Sequence, residues 1–317
     1  MKFGVPLPTF RRAASPDAIR RVAQRAEELG FDGVWVSDHI VIPQTEVDPF
    51  AHRFGDPTHI GSLIYEPLTV LAFVAACTTR IRLGTTVIIL PYRNPVVTAK
   101  VLSTIDMLSG GRVTAGVGVG WMEAEFAALG VPFQGRGGLS DEYIKAMIAL
   151  WTEDRPAFHG EHVQFENIGF DPKPVQRPHI PVWIGGNSRS AIRRAARLGD
   201  GWHPTRPHVQ DIKAGAELLR EFCDQQGRDP NSVTIAARLP LKFLDDGPEA
   251  AAKRPLLGSA QKIIDEIGQY REAGVQYIVL DTFYSAPELE SETVDTILDT
   301  MERFATDVML KWLQVAG

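Results

Sequence analysis

Residues Ile81–Gly118 read IRLGTTVIILPYRNPVVTAKVLSTIDMLSGGRVTAGVG, and their pattern decides the fold class. The β-branched and apolar run from Ile81 to Leu90 predicts a strand, with Gly84 inside it. Pro95 to Leu108 reads as a helix, and Ser109-Gly110-Gly111 as the turn that ends it. Arg112 to Gly118 then reads as a second strand. A strand, a helix and another strand in close succession form the unit from which parallel sheets are built.

The same alternation extends in both directions. Towards the N-terminus, Phe3–Leu7 predicts a first strand, and Ser15-Pro16 opens a helix that runs to Leu29 and stops at Gly30. Gly33–Ser37 is the second strand, ending in Asp38-His39. The long loop from Ile40 to Tyr65 has little apolar periodicity, and loops of that length are more often functional than idle. Glu66–Thr78 is the next helix.

Towards the C-terminus, Met122–Leu129 and Ser140–Trp151 read as helices, and FHGEHVQFEN (158–167) as a short hairpin. The proline-rich DPKPVQRPHIP (171–181) leads into a fifth strand at Pro181–Ile184. The sixth, seventh and eighth strands fall at Asp200–His203, Val233–Ala237 and Gln276–Leu280. Helices are read at Asn187–Leu198, onward from the sixth strand to Gln226, at Gly258–Ala273 and at Ser291–Leu313, where Ser291 is a plausible cap. Eight strands with intervening helices predict an α/β fold of one domain over residues 1–317. That fold is a (β/α)8 TIM barrel with insertions after strands 2 and 4. The rival doubly wound sheet lacks support, because no GxGxxG follows the first strand.

Composition narrows the function. The chain has 317 residues, 44% of them hydrophobic, enough to fill a large core. With 33 Lys and Arg against 39 Asp and Glu the formal charge is −6, which argues against a nucleic-acid or membrane-surface partner. No apolar run is long enough for a membrane span or a secretory leader, so a cytoplasmic location is expected. Cys77 and Cys223 are the two cysteines, too few for a disulfide framework or a zinc site, and Cys77 is read as a buried spectator thiol. His52, His59, His159, His162, His179, His203 and His208 show no metal spacing, so no metal is expected, and His159 and His162 read as surface residues. Phosphate-loop, serine-elbow and HExxH motifs are absent.

In a barrel, polar residues just past the strands' C-terminal ends are the first candidates for chemistry. Asp38-His39 stands at the end of strand two. Histidine titrates near neutrality, and an adjacent or facing carboxylate can set its tautomer. Alternatively, Asp38 caps the next turn and His39 is a partly buried loop residue. Gly116-Val117-Gly118-Val119-Gly120-Trp121 ends strand four. Its alternate glycines clear one face for a flat ligand or for a neighbouring backbone, and Trp121 is placed either to stack on a ring or to pack at the edge of the core. Gly185-Gly186-Asn187-Ser188 precedes a helix opened by Asn187 or Ser188. Its amides suit an anion such as a phosphate, or it is an ordinary capped helix start; Arg189, Arg193 and Arg194 follow.

Four segments, FDGVWVSDHIVIP, TTRIRLGTTVIILPYRNPVVTAK, LSGGRVTAGVGVGWMEAEFAALGVPF and DPKPVQRPHIPVWIGGNSRSAIRRAARLGDGWHP, closely resemble the bacterial luciferase-like monooxygenase superfamily. The resemblance is best to its deazaflavin (coenzyme F420)-dependent branch, and is dense from Met1 to about Pro204. It implies a barrel enzyme with a ring cofactor in the mouth and a non-prolyl cis peptide in strand three, at about Thr86-Val87. By the same carry-over, Asp38 and His39 sit near the ring's reactive edge, with His39 as proton donor or carbonyl polariser. Gly118, Val119 and Gly120 would line the ring's route, and Gly185, Gly186, Asn187 and Ser188 would hold a phosphate. The implied activity is hydride transfer between F420 and a small organic substrate, with an FMN-dependent monooxygenase using dioxygen as the alternative. Superfamily members usually form homodimers. The acidic tail of F420 would favour a basic groove, for which Arg93, Lys100, Arg189 and Arg206 are candidates. Where sugar-phosphate-oxidising relatives carry a glutamate, this chain has Trp121, which implies a larger, more apolar substrate. Glu123, two residues on, is read as facing a helix.

Overall fold

Eight parallel strands close on themselves in the computed structural model, which describes residues 1–11, 13–42, 63–244, 255–282 and 293–312. They are β1 (Lys2–Pro6), β2 (Gly33–Val36), β3 (Arg82–Thr85, resumed at Ile88–Ile89), β4 (Val113–Gly118), β5 (Val182–Gly185), β6 (Gly201–His203), β7 (Thr234–Pro240) and β8 (Tyr277–Asp281). Each pairs with its neighbours in sequence, and β1 pairs with β8 in the register Lys2↔Tyr277 to Gly4↔Val279, so no edge remains open. The (β/α)8 barrel read from the sequence is therefore the architecture.

Around it lie α1 (Pro16–Leu29), α2 (Pro67–Cys77), α3 (Pro95–Ser109), α4 (Glu123–Ala128), α5 (Arg136–Thr152), α6 (Arg189–Leu198), α7 (Val209–Asp224), α8 (Ala260–Glu272) and α9 (Val294–Phe304). The helix boundaries follow local chemistry. The Ser15 hydroxyl accepts from the Ala18 amide at the start of α1, and Gly30 ends the helix at φ 83°. Asn94 and Gly110 (φ 70°) do the same for α3.

Some boundaries differ from expectation. Strand three breaks at Thr86-Val87, where the peptide is cis as the resemblance implied. α5 begins at Arg136 rather than Ser140, and α6 is capped by Ser188, whose hydroxyl accepts from Ala191. Ser291 lies outside the described residues, and the last helix is capped instead by Thr293 in a reciprocal pair with Thr296. Cys77, the last residue of α2, is only half-buried; Cys223 is the buried cysteine. The insertion after β4 contains α4, α5 and the antiparallel hairpin Phe158–His159 with Gln164–Phe165. Most of the insertion after β2 lies outside the described residues.

Two layers fill the lumen. In the lower, Trp35 stacks on Trp183 at 4.9 Å, and its indole N–H donates to the Tyr277 hydroxyl at 3.2 Å. Gly84 is required there, since a Cβ on it would sit 2.3 Å from the Trp35 ring. The upper layer is polar: Arg238 spans the lumen, pairing with Asp281 at 3.0 Å and donating to the Thr86 carbonyl at 2.9 Å and the Ser37 hydroxyl at 3.2 Å. That layer forms the floor of the mouth at the strands' C-terminal ends.

Candidate active site at the barrel mouth

His39 follows β2 directly and is almost fully buried. Its Nδ1 lies 2.8 Å from Oε2 of Glu125, a side chain with no solvent exposure. The same carboxylate accepts the Ile40 and Val41 amides at 2.5 and 3.2 Å and the Tyr92 hydroxyl at 2.8 Å. Burial pushes the Glu125 carboxyl upward, but the hydrogen bond and charge of His39, with the Ile40 amide and Tyr92, outweigh it and hold it below the ordinary carboxylate value. On the phenol side, burial and the adjacent carboxylate drive Tyr92 far above its ordinary range, so it stays a hydrogen-bond donor. Trp121 meets the imidazole edge to face, with centroids 6.0 Å apart.

Asp38, adjacent in sequence, is employed elsewhere. Arg93 grips it with two hydrogen bonds, 2.5 and 2.9 Å, and Ile89 donates its amide at 2.8 Å. Burial pushes the Asp38 carboxyl upward against the pull of Arg93. Because the guanidinium and the amide can only donate, the carboxylate that receives them is the ionised acceptor. Arg93 also reaches Glu66, and these two acids raise it above its ordinary value although burial works the other way. The carboxylate that faces His39 is thus Glu125, while Asp38 ties the end of β2 to the chain after β3.

The glycines of β4 and β5 have a packing explanation. A Cβ on Gly116 would meet the Thr85 carbonyl at 1.9 Å, and one on Gly118 or Gly185 would strike the Val87 methyls at 2.5 and 2.7 Å. They form a notch that receives the bulge of β3, the neighbouring-backbone alternative of the sequence reading. Gly120, at φ 78°, faces Ile89 and Phe126. Thr86 donates to Nε2 of His203 at 2.8 Å, while that imidazole's Nδ1–H reaches the Ala236 carbonyl at 2.5 Å. Burial depresses His203 to about 4, so it is neutral at physiological pH.

Above β5, Gly186 takes φ 120°, and Asn187 clasps the Thr205 backbone through both ends of its amide, at 2.8 Å each. With Asn187 so used and Ser188 capping α6, the first-turn amides of Arg189 and Ser190 keep no acceptor among the described residues, a donor set that suits a phosphate. A narrow crevice beside it is lined by Val119, Gly118, Gly185, Ser140 and Arg194, and Arg194 is paired with Asp141.

The expected basic groove is only partly assembled. Arg93 is spent on Asp38 and Glu66, and Lys100 donates to the Asp171 carbonyl over the Phe170 ring. Of the four, Arg189 and Arg206 lie on the two segments joined by the Asn187–Thr205 clasp, and Arg189 is itself 3.8 Å from Glu221 and packed over the Phe222 ring. Glu123 is exposed on α4, and His159 is exposed on the hairpin. Glu125, Tyr92, His203 and Arg238 escaped the sequence reading. For Glu125 a signal existed, an acid between Ala124 and Phe126 in the short helix after the glycine run, but nothing local ties it to a histidine 86 positions earlier. No cluster able to hold a metal ion occurs among the described residues, and no helix among them is long and apolar enough to cross a membrane.

A parallel eight-stranded barrel with a carboxylate-held histidine at its mouth defines an enzyme class that builds its site on strand ends. The family model for luciferase-like monooxygenases matches residues 1–278, and the chain belongs to that family. It is 35% identical over 239 residues to an FMNH2-dependent dimethylsulfone monooxygenase of Pseudomonas putida, covering 74% of this chain and 61% of the relative. It is 30% identical over 257 residues to an F420-dependent glucose-6-phosphate dehydrogenase of Kineococcus radiotolerans, covering 78% of this chain and 71% of the relative. Among solved structures, the coenzyme F420-dependent tetrahydromethanopterin reductase of Methanopyrus kandleri superposes with a TM-score of 0.76 at 17% identity. That superposition covers 98% of this chain and 99% of the other, a likeness of fold. Relatives of both cofactor types thus share the barrel, and the chain is an oxidoreductase or monooxygenase of this general kind.

Proposed function

We propose that the protein is an F420-dependent oxidoreductase that passes hydride to or from a small organic substrate, with His39 exchanging the accompanying proton. The observation that carries this reading is the imidazole at the end of β2, anchored through Nδ1 while Nε2 makes no hydrogen bond among the described residues. Bound deazaflavin supplies hydride chemistry, while the protein contributes orientation and a dry pocket. The first-turn amides of α6, without acceptors among the described residues, suit the phosphate of such a cofactor, and Arg189 and Arg206 on the flanking segments add positive charge for its acidic tail although Arg189 also lies 3.8 Å from Glu221. Asp38, Thr86, Val87, Gly118, Val119, Gly120, Trp121 and Gly185 to Ser188 form the proposed cofactor-facing rim, with Asp38 acting through Arg93 and Ile89. Trp121 beside His39 gives that rim an apolar wall, which fits a substrate larger and less polar than a sugar phosphate. We place the enzyme in the cytoplasm as a homodimer.

A second reading, an FMN-dependent monooxygenase using dioxygen, is favoured by the 35% identity to the FMNH2-dependent relative. Titration of the purified protein with F420 and with FMN, followed by fluorescence, separates the two. Binding of F420 without FMN supports the first reading, and binding of FMN alone sinks it. In the same assay His39→Ala should retain cofactor affinity and lose turnover.

A further inference from the structure

Glu125 is a buried carboxylate whose four partners among the described residues are all hydrogen-bond donors: the His39 ring, the Ile40 and Val41 amides and the Tyr92 hydroxyl. Lysine and arginine are absent from that set. The guanidinium of Arg93, next to Tyr92 in sequence, is occupied by Asp38 and Glu66. Among the described residues, the other charged or titratable groups around His39 are Asp38 just past β2 and Tyr92 after β3, with the Trp121 ring against its edge. Among the described residues, His39 is therefore the one group in contact with Glu125 that can carry a compensating positive charge. An ionised carboxylate accepts only, so the nitrogen facing it must hold a proton.

We propose that Glu125 is the positioning residue of His39: it fixes the Nδ1–H tautomer and directs all proton traffic through Nε2. The inference deepens the reading of His39 as the proton-exchanging group. With both nitrogens protonated, the imidazole is ion-paired to Glu125, and the Nε2–H bond breaks as a substrate oxygen takes the proton. The ring is left neutral with Nδ1–H still on Glu125. In the opposite direction the Nε2 lone pair accepts the proton of a substrate hydroxyl, and the hydride that leaves the substrate carbon goes to the oxidised deazaflavin of that reading. Glu125 stays a carboxylate throughout. Its amide bonds also pin the first residues of the loop after His39, so ring orientation and loop position share one anchor. The same logic explains why removing an orienting carboxylate from a catalytic histidine leaves the geometry intact yet presents the wrong tautomer.

The test is nitrogen NMR on histidine-labelled protein without cofactor, with His39 assigned from the His39→Ala spectrum. Wild type should show the Nδ1–H tautomer in its neutral form. Glu125→Gln should lose that preference, and Glu125→Asp should restore part of it. The exposed Glu123→Gln, on the same helix, should leave it unchanged. With bound cofactor, Glu125→Gln should lower kcat by roughly 10- to 10⁴-fold with cofactor KM little altered, and reshape the acid limb of the pH profile. An Nε2–H tautomer in wild type overturns the inference without needing any variant, as does a Glu125→Gln protein with unchanged tautomer and pH profile. Because the tautomer is read without cofactor, failure to bind F420 would overturn only the cofactor reading. F420 binding to a protein with an Nε2–H imidazole would overturn only this one.

Discussion

Replacing Arg93 by Met isolates the Asp38 clasp. The Asp38 side chain has no solvent exposure, and 15% of the Arg93 side chain is exposed, so among the described residues the substitution leaves the buried carboxylate the Ile89 amide as its one hydrogen-bond donor. Methionine keeps most of the aliphatic stem contacts, so packing loss is small. Glu66, 38% exposed, is rehydrated at little cost. The dominant effect is the uncompensated charge, for which breaking a buried pair costs about 3–5 kcal/mol. For a chain of this size that corresponds to a fall in melting temperature of roughly 4–8 °C.

The pH dependence has a definite sign. Burial raises the Asp38 carboxyl in the fold, and without Arg93 the weaker pulls of the Ile89 amide and of the neighbouring His39 charge are what oppose it. A group raised in the fold is harmless below its unfolded value, near 3.9, and costs more as pH climbs through the folded value. The stability gap between wild type and Arg93→Met, measured by thermal or denaturant unfolding, should therefore be widest at pH 8 and narrow towards pH 5. Asp38→Asn added to Arg93→Met removes the stranded charge, keeps an acceptor for Ile89, and should recover more than half the loss. A single variant within about 1 kcal/mol of wild type at pH 8, or a double variant no better than the single, would refute the reasoning.

Other consequences follow from the upper lumen layer and the outer helices. His203 is depressed from 6.5 to about 4, so its stability contribution is present above pH 6.5 and lost as pH falls towards 4, by roughly 3 kcal/mol; His203→Gln should flatten that slope in melts from pH 8 to 4. Gly185→Ala places a Cβ 2.7 Å from a Val87 methyl and should cost about 1–3 kcal/mol. Val87→Ala should relieve most of that penalty, and strictly additive melting shifts in the double-mutant cycle would dismiss the notch. Val97 and Leu108, 59% and 69% exposed, lie on one stripe of α3 with the half-buried Val101. If that stripe is the homodimer surface, Leu108→Glu should shift light-scattering mass from twice the chain to once, whereas a monomeric wild type would discard the dimer.

The βα period was legible in Ile81–Gly118 because local rules govern it. Buried parallel strands need β-branched runs, and helices announce themselves through Ser15-Pro16, Asn94-Pro95 and the glycines that follow. Position also marked His39, since chemistry in a barrel gathers where strands end. Its partner was decided by closure of the ring. Only when β2, β3 and β4 lie side by side does the short helix after β4 bring Glu125 to His39 and leave the sequence neighbour Asp38 to Arg93. The glycine run shows the same division. From the chain alone its cleared face could await a ligand or a backbone, and only the tertiary structure seats Thr85 and Val87 in it. The order of strands and helices was thus written in local pattern, as was the place where the site is proposed. Which carboxylate meets which cation was not, because that depends on distances between segments dozens of residues apart, set when the barrel packs.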